Sequence, residues 1–269
     1  MNSAASPSVK SLGVLLRMLD TKNGPDRLDA AFSGNLLLAT FSAEVRALLD
    51  AGAEVIELDV GEHVQSRGQD VDWSYFPFGT TMISLVVELS DGRSVQVASI
   101  GREGAVGGIV SCGHAPAFAE AKVIVAGPAM RVPMKALEDA KSRSSFLGNL
   151  FCRFSDYLLA EVMQSATCNS FHSIQQRAAR WLLTAQDRAG DRIELTQEAL
   201  AELLGVQRTT VNAVVGALQD QGLISARRGR VIVVDRVGLK RHACECYATV
   251  GGHFGAVIGP SGSGGKADC

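Results

Sequence analysis

The segment from Leu195 to Arg230 constrains the fold of this chain more than any other part, because it joins two short amphipathic helices to a basic hairpin. Thr196 is suited to cap the first helix, and Gly205 stands where a sharp turn between two helices needs a positive φ angle. Val211 and Val214 give a second helix, over 207–219, an apolar face with 3.6-residue spacing. This order predicts a helix-turn-helix followed by two short strands that form a wing.

The opposite face of the second helix carries the types of side chain that read base edges in a DNA major groove. It combines a long basic residue near the helix start with amides, a hydroxyl and small residues. We therefore expect contacts to bases from Gln207, Arg208, Thr209, Asn212 and Ala213.

The wing and the start of the first helix are expected to supply contacts to DNA phosphates. Between Leu223 and His242 the chain has six Lys or Arg residues and a single acid, although the formal net charge of the whole chain is -2. A local basic surface determines attraction to DNA more than the total charge does. The expected phosphate contacts are Thr196, Arg227, Arg228 and Arg230.

The 269 residues, of which 46% are hydrophobic and 20% charged, are enough for two domains with ordinary cores. From Ile56 onward short β-rich runs follow one another, and Asp91-Gly92 is a strong hairpin signal between two of them. This pattern predicts a jelly-roll β-roll over 35–141 and an α+β fold overall. Segments rich in Gly and Ser predict a flexible arm over 1–34 and a disordered tail over 241–269.

Between these β-rich runs and the winged domain, which we place at 171–240, a long helix is predicted over 142–170. Its apolar stripe is too wide for a helix with one solvated face. One flank is expected to pack on the β-roll and the other on the same helix of a second copy, although a helix buried within its own chain gives the same pattern. The residues expected in this dimer seam are Leu147, Leu150, Phe151, Phe154, Leu158 and Val162.

The order of a β-roll, one long helix and a winged helix-turn-helix resembles the CRP/FNR family of bacterial transcriptional regulators over about residues 35 to 240. The most specific stretches are DGRSVQVASIGREGAVGG in the β-roll and LTQEALAELLGVQRTTVNAVVGALQDQGLISARRGRVIVVD in the winged domain. The resemblance implies a homodimer joined through the long helices and a palindromic double-stranded operator. It also implies RNA polymerase as a partner and an effector that binds in the β-roll.

Three departures from the family pattern leave the effector unidentified. The stretch from Gly107 through VSCGHAPAFAEAK lacks the Glu and Arg with which cyclic-nucleotide-binding members hold the phosphate. Oxygen-sensing members have an N-terminal cysteine cluster, whereas the first cysteine here is Cys112. In the second helix, Thr209 and Ala213 replace an acid and an Arg of the best-known members, so a different operator sequence is expected.

Two other functions compete with this interpretation. A regulator that senses metal or thiol oxidation would use His242, Cys244 and Cys246 with His253, but in a single helix the two cysteines would point about 200° apart. A cupin-like metal-dependent enzyme would need clustered ligands, and the β-rich region offers only His63 and His114. We therefore expect no enzyme activity, no resident cofactor or metal, reduced cysteines, no membrane span and a cytoplasmic location.

Overall fold

The computed structural model describes residues 25–50, 52–108 and 116–259. Within them, seven strands form two antiparallel sheets that enclose a common apolar core. One sheet has the order β1-β7-β3 and the other β2-β6-β4-β5. The strands are β1 Glu54–Leu58, β2 His63–Gln65, β3 Trp73–Pro77, β4 Met82–Glu88, β5 Ser94–Ile100, β6 Glu120–Val125 and β7 Gly127–Pro133.

The hairpin expected at Asp91-Gly92 joins β4 to β5. Val87 lies opposite Val95, the N–H of Leu89 donates to the carbonyl of Arg93 over 2.8 Å, and Gly92 has a φ angle of 81°. A positive φ angle is accessible to glycine without a steric penalty, so this residue closes the turn. The core between the sheets includes Leu58, Ile83 and Val123, all nearly or fully buried.

Helix α1 (Pro25–Gly34), a 3-10 turn (Leu38–Thr40) and helix α2 (Ala43–Asp50) precede the sheets. The predicted flexible arm is therefore wrong for residues 25–34, while residues 1–24 lie outside the described part. The helix is held because Ala31 and Phe32 are buried in the core beside the β-roll. Just after it, the side-chain amide of Asn35 donates to the carbonyls of Pro77 and Gly104, each over 2.8 Å.

Two helices follow the β-roll: α3 (Met134–Arg143) and the long α4 (Ser145–Phe171). The hydroxyl of Ser144 accepts the N–H of Leu147 and so caps α4 at its start. Leu147, Leu150 and Phe154 face the β-roll and are essentially inaccessible to solvent.

The winged domain consists of α5 (Ile174–Ala189), β8 (Arg192–Ile193), α6 (Gln197–Leu204), α7 (Arg208–Asp220), β9 (Ile224–Arg227), β10 (Arg230–Val233) and α8 (Arg236–His242). Its three strands pair in the order β8-β10-β9. Ser173 and Gln176 form a capping box at the start of α5. The core of the domain is aliphatic around Trp181 and includes Leu182, Leu200 and Val211.

Helix α9 (Cys246–Val257) lies where the sequence predicted a disordered tail, so that prediction is wrong for residues 246–257. Residues 260–269 are outside the described part. Although this segment is rich in glycine, its apolar residues recur at helical spacing. One of them, Phe254, packs edge-on against Tyr157 of α4, with 5.0 Å between the ring centroids. His253 also pairs with Asp156 of α4 at 2.9 Å. Among the described helices, none is both long and apolar enough to cross a membrane.

Candidate nucleic-acid interface

The turn between α6 and α7 has the geometry that its sequence predicts. The Thr196 hydroxyl accepts the N–H of Ala199 over 3.0 Å, and Gly205 adopts left-handed angles, with φ 65° and ψ 39°. The N–H of Val206 donates to the carbonyl of Ala201, which closes the turn. Val211 and Val215 of α7 are buried, and this fixes which face of the helix remains outside.

The outer face of α7 brings together all the residues that the sequence assigned to base contacts. Each of them has an exposed side chain, and no side chain caps the N-terminus of the helix. The first-turn N–H groups are therefore also open to an anion such as a DNA phosphate. These residues are Gln207, Arg208, Thr209, Asn212 and Ala213.

The wing is a hairpin whose two turn residues both have positive φ angles, 43° at Arg228 and 81° at Gly229. This is the conformation of a tight two-residue turn, and it is unusual for an arginine. Arg227 and Arg228 are exposed, whereas Arg230 is half-buried with its Nε shielded from solvent. The wing therefore presents two exposed arginines, next to exposed Thr196 at the start of α6.

The winged domain is docked on the β-roll of the same chain, which the sequence did not predict. The indole N–H of Trp181 donates to Gln96 of β5 over 2.9 Å, and Lys122 of β6 pairs with Glu202 of α6 at 3.3 Å. A Cβ atom added to Gly205 would lie 3.2 Å from a methyl group of Val95. The turn of the DNA-binding motif is thus in van der Waals contact with β5.

Beneath this contact, Arg188 of α5 is buried with two carboxylates from other parts of the chain. Its guanidinium lies 2.6 Å from Glu103 and 3.9 Å from Glu161 of α4, and it donates to the hydroxyl of Ser99. Burial raises the pKa of Glu161, and only part of this effect is offset by Arg188. Burial opposes the charge of Arg188, but Glu103 and Glu161 outweigh it and raise the pKa of that guanidinium.

A cavity of about 220 Å³ lies beside this network, between β5, α4, α5 and α9. Its polar lining includes Glu161, Arg180 and Asp187. Sequence reasoning missed this group because its members are dispersed over almost a hundred residues. The one signal available in the sequence was the position of Arg188, which falls on the apolar face of its helix.

The glycines of GREGAVGG are corners of the β-roll, as the sequence indicated. Gly107 and Gly108 have φ angles of 94° and 59°. A Cβ atom at Gly107 would collide with the carbonyl oxygen of Trp73, and one at Gly108 with the sulfur of Met134. Residues 109–115, which include His114 and belong to the stretch equivalent to the phosphate-binding segment of cyclic-nucleotide-binding members, lie outside the described part. His63 is half-exposed and lies 3.8 Å from Glu120.

The structure corrects the predicted dimer seam. Leu147, Leu150, Phe151 and Phe154 are fully buried in their own chain, and Leu158 and Val162 are half-buried. The large apolar side chains that α4 leaves in solvent are Phe146 and Phe171 near its ends and, in its middle, Leu159, 52% exposed, and Met163, 59% exposed. The error has a physical cause, because helical periodicity cannot distinguish packing on a β-roll from packing on a second helix.

The structure also corrects the ligand set considered for metal or thiol sensing. His242 contacts the carbonyl of Gly238, and His253 pairs with Asp156. Cys244 and Cys246 do lie together, because Cys244 belongs to the short connection before α9 and only Cys246 belongs to the helix. Their neighbours are Cys168 and His172 at the end of α4. Burial among these groups raises the pKa of Cys244 to about 12.

The two-sheet roll, the long helix and the winged domain define a fold class, which is that of solved CRP/FNR transcriptional regulators. Within that class, residues 176–242 match the Crp-like helix-turn-helix domain. The resemblance seen in the sequence is thereby confirmed for the winged domain and for the fold.

Solved structures with the same fold include FixK2 from Bradyrhizobium japonicum, with a TM-score of 0.61 and 16% identity over 71% of this chain and 98% of that one. The c-di-GMP-responsive global regulator CLP of Xanthomonas campestris has a TM-score of 0.58 and 16% identity, over 71% of this chain and 99% of that one. A CRP/FNR-family regulator from Thermus thermophilus also has a TM-score of 0.58, with 19% identity over 71% and 98% of the two chains. Comparison with curated proteins found no match.

Proposed function

We propose that the protein is a homodimeric transcriptional regulator that binds a palindromic double-stranded operator through α7. The observation that carries this proposal is the exposed outer face of α7, which combines Arg208, Asn212 and small residues and lies in a Crp-like helix-turn-helix domain. Such a face fits a major groove, and a long basic side chain near the helix start is well placed to reach a guanine.

The roles of the basic residues divide by position. Arg208 projects from the first turn of α7 and is proposed to contact a base edge. Arg227 and Arg228 lie on the wing, where the phosphate backbone would run beside the groove, and they are proposed to contact phosphate with Thr196. Arg230 is assigned a weaker phosphate role because it is half-buried.

A second copy of this chain is the proposed partner of α4. Cys152, Ser155, Leu159, Met163 and Ala166 follow one another at intervals of three or four residues, and all but Ser155 are exposed. This spacing is that of a coiled-coil seam between two helices. A two-fold dimer would place the two α7 helices in half-sites one turn of DNA apart, about 34 Å from centre to centre.

The remaining partners follow from the proposed role. The regulator is proposed to act on RNA polymerase in the cytoplasm, to have no enzyme activity and to respond to an unidentified effector. The cavity beside Arg188 adjoins both the β-roll and the winged domain, so a ligand there would alter the contact between them. It is the described cavity best placed to receive such a signal.

Selection of genomic fragments on the purified full-length protein tests the proposal. We expect the bound fragments to share a two-fold symmetric motif, and we expect a labelled copy of that motif to bind more tightly than a scrambled one in fluorescence anisotropy. Equal affinity for the motif and the scrambled copy at every salt concentration would show that the protein binds DNA without sequence preference and would overturn the proposal.

A further inference from the structure

Four potential metal ligands from two distant parts of the chain converge at the end of α4. Cys168 is in the last turn of α4 and His172 follows the helix directly, while Cys244 and Cys246 flank the start of α9. One ligand atom from each residue lies within 4.8 Å of the other three. All three cysteines are buried, and His172 is half-buried.

The distances in this Cys-His cluster (Cys168, His172, Cys244 and Cys246) are those of ligands around one small ion. With Zn–S near 2.3 Å and Zn–N near 2.0 Å, tetrahedral geometry separates two sulfurs by ~3.8 Å and a sulfur from a nitrogen by ~3.5 Å. The Sγ atoms of Cys168 and Cys244 are 3.5 Å apart. The Sγ of Cys246 and the Nδ1 of His172 are also 3.5 Å apart.

His172 is oriented as a metal ligand would be. Its Nδ1 faces the sulfurs, and its Nε2 lies 3.3 Å from the carboxylate of Glu245. A histidine that donates one ring N–H to a carboxylate has its other nitrogen free to bind a metal, and this outer contact fixes the tautomer and the ring plane. The amide of Gln164 donates to the sulfur of Cys246 over 3.0 Å, which suits a thiolate at that position.

The charge and softness of the donors favour zinc over other common ions. Three thiolates and one imidazole prefer zinc to magnesium or calcium, which require oxygen ligands. A Zn²⁺ ion with these donors carries a net charge of -1, and the cationic side chains of Arg177 and Arg180 lie close enough to act on Cys168. An iron–sulfur cluster would hold its ligands farther apart, since it distributes them over several irons.

We propose that Cys168, His172, Cys244 and Cys246 form a tetrahedral zinc site that joins the end of α4 to the start of α9. The site has four protein ligands and no open position, which is the mark of a structural site rather than a catalytic one. It replaces the expectation, drawn from the sequence, that the chain has no resident metal. It is independent of the proposed DNA-binding role.

The experiment measures metal directly on the full-length protein, purified under reducing conditions without chelator. We expect about one zinc per chain by elemental mass spectrometry, consistent with a single closed four-ligand site. After removal of zinc by a chelator, added Co²⁺ is expected to give the intense visible absorption bands of a tetrahedral thiolate complex. Zinc is then expected to displace the Co²⁺ and abolish these bands.

Variants identify the ligands. Cys168→Ser and Cys244→Ser are expected to lose stoichiometric zinc, and Glu245→Gln is expected to weaken zinc binding by about 10- to 100-fold through loss of the contact to His172. His242→Ala, which changes a near neighbour outside the Cys-His cluster, is the matched control and should keep full zinc.

If the serine variants do not fold, the Co²⁺ titration of the unaltered chain still decides the question. A folded protein that neither contains zinc nor forms the tetrahedral Co²⁺ spectrum would overturn the proposal. So would full zinc content in the Cys168 and Cys244 variants, or a metal-free protein with a Cys168–Cys244 disulfide under the same reducing conditions. Operator binding is measured separately, so failure of this site and failure of the DNA-binding proposal are distinguishable.

Discussion

At the scale of single residues, Arg208 is the side chain on which sequence preference is expected to depend. It is exposed in the first turn of α7, and a bidentate contact from Arg to guanine contributes ~1–3 kcal/mol of discrimination. We predict that Arg208→Ala binds the selected operator less tightly and no longer distinguishes one base pair in each half-site. Fluorescence anisotropy with operators changed at single positions measures this loss.

Arg228 and Arg27 provide the comparison for that measurement. Arg228→Gly should weaken binding to every DNA sequence to the same extent. Glycine fits the positive φ angle of the wing turn without strain. Arg27→Ala, on α1 and paired with Glu57, should leave DNA affinity unchanged. If Arg208→Ala loses affinity equally for all operators and still distinguishes their bases, Arg208 contacts phosphate and not a base.

Residues whose role is local were predictable from the sequence, and residues whose role depends on distant partners were not. Thr196 and Gly205 act on backbone groups a few positions away, so their types and spacing were sufficient. Arg188 and Glu161 acquire their role from packing between separate elements, which no local pattern records. The Cys-His cluster was missed in part for the same reason, because Cys168 and Cys244 are 76 positions apart.

At the scale of elements, α4 packs one face on the β-roll and leaves another exposed to solvent. Leu159 and Met163 lie on its solvent face, whereas Phe154 is fully buried against the β-roll side. We predict that Leu159→Glu produces a folded monomer, because it places a charge in the proposed dimer seam without opening the core. Sedimentation velocity at micromolar concentration, with far-ultraviolet circular dichroism as a check of folding, measures both properties.

Two control variants are compared with Leu159→Glu. Leu89→Glu changes an exposed leucine on the β4–β5 hairpin and should remain dimeric. Phe154→Glu should unfold the chain rather than separate two intact chains, since it buries a carboxylate in the core. If Leu159→Glu stays dimeric while folded, the partner does not contact this face of α4.

The loop after β5 supports a prediction about the effector. Cyclic AMP brings a full negative charge, and burying it requires a cation or several donors. The stretch from Gly107 to Ala119 contains His114 as its one side chain that could carry positive charge, and histidine is mostly neutral at pH 7. We predict no binding of cyclic AMP or cyclic GMP in isothermal titration. Micromolar binding that also tightens operator binding would show that a cation outside this stretch contacts the nucleotide.

At the scale of the whole molecule, the buried group around Arg188 makes stability depend on pH. The pKa of Glu161 is raised by burial above its ordinary value of 4.5. A carboxyl with a raised folded-state pKa stabilises the fold below its unfolded pKa, and this contribution is lost as the pH rises through the folded-state pKa. Glu161 therefore contributes less to the stability of the fold at neutral pH than it does in mild acid.

Glu161→Gln tests this dependence, because glutamine keeps an acceptor for the N–H of Ser99 and has no charge. We predict that the variant gains stability relative to the native chain as the pH rises from about 5 to 8, in urea unfolding followed by circular dichroism. Glu57→Gln, a change at an exposed carboxylate, should show no such trend. A stability difference for Glu161→Gln that does not vary with pH would contradict the prediction.

The architecture of the whole chain was largely predictable, but the position of its parts was not. Strand alternation, the Asp91-Gly92 turn and the helix-turn-helix indicated the elements and their order. The winged domain docks on the β-roll through Trp181 and Glu202. Nothing in the pattern of their own helices marks these two side chains as contacts to another domain. Helix α9 was missed because glycine lowers helix propensity, and contacts of Phe254 and His253 with α4 compensate for this.

The connection between α4 and α5 consists of two extended residues, His172 and Ser173, between the last turn of one helix and the first turn of the next. Because a helix moves as a rigid body, a change in the angles of these two residues would change the direction of α5 relative to α4. His172 belongs both to this connection and to the Cys-His cluster. An ion held in the Cys-His cluster would restrain this backbone position and so limit rotation of α5 relative to α4.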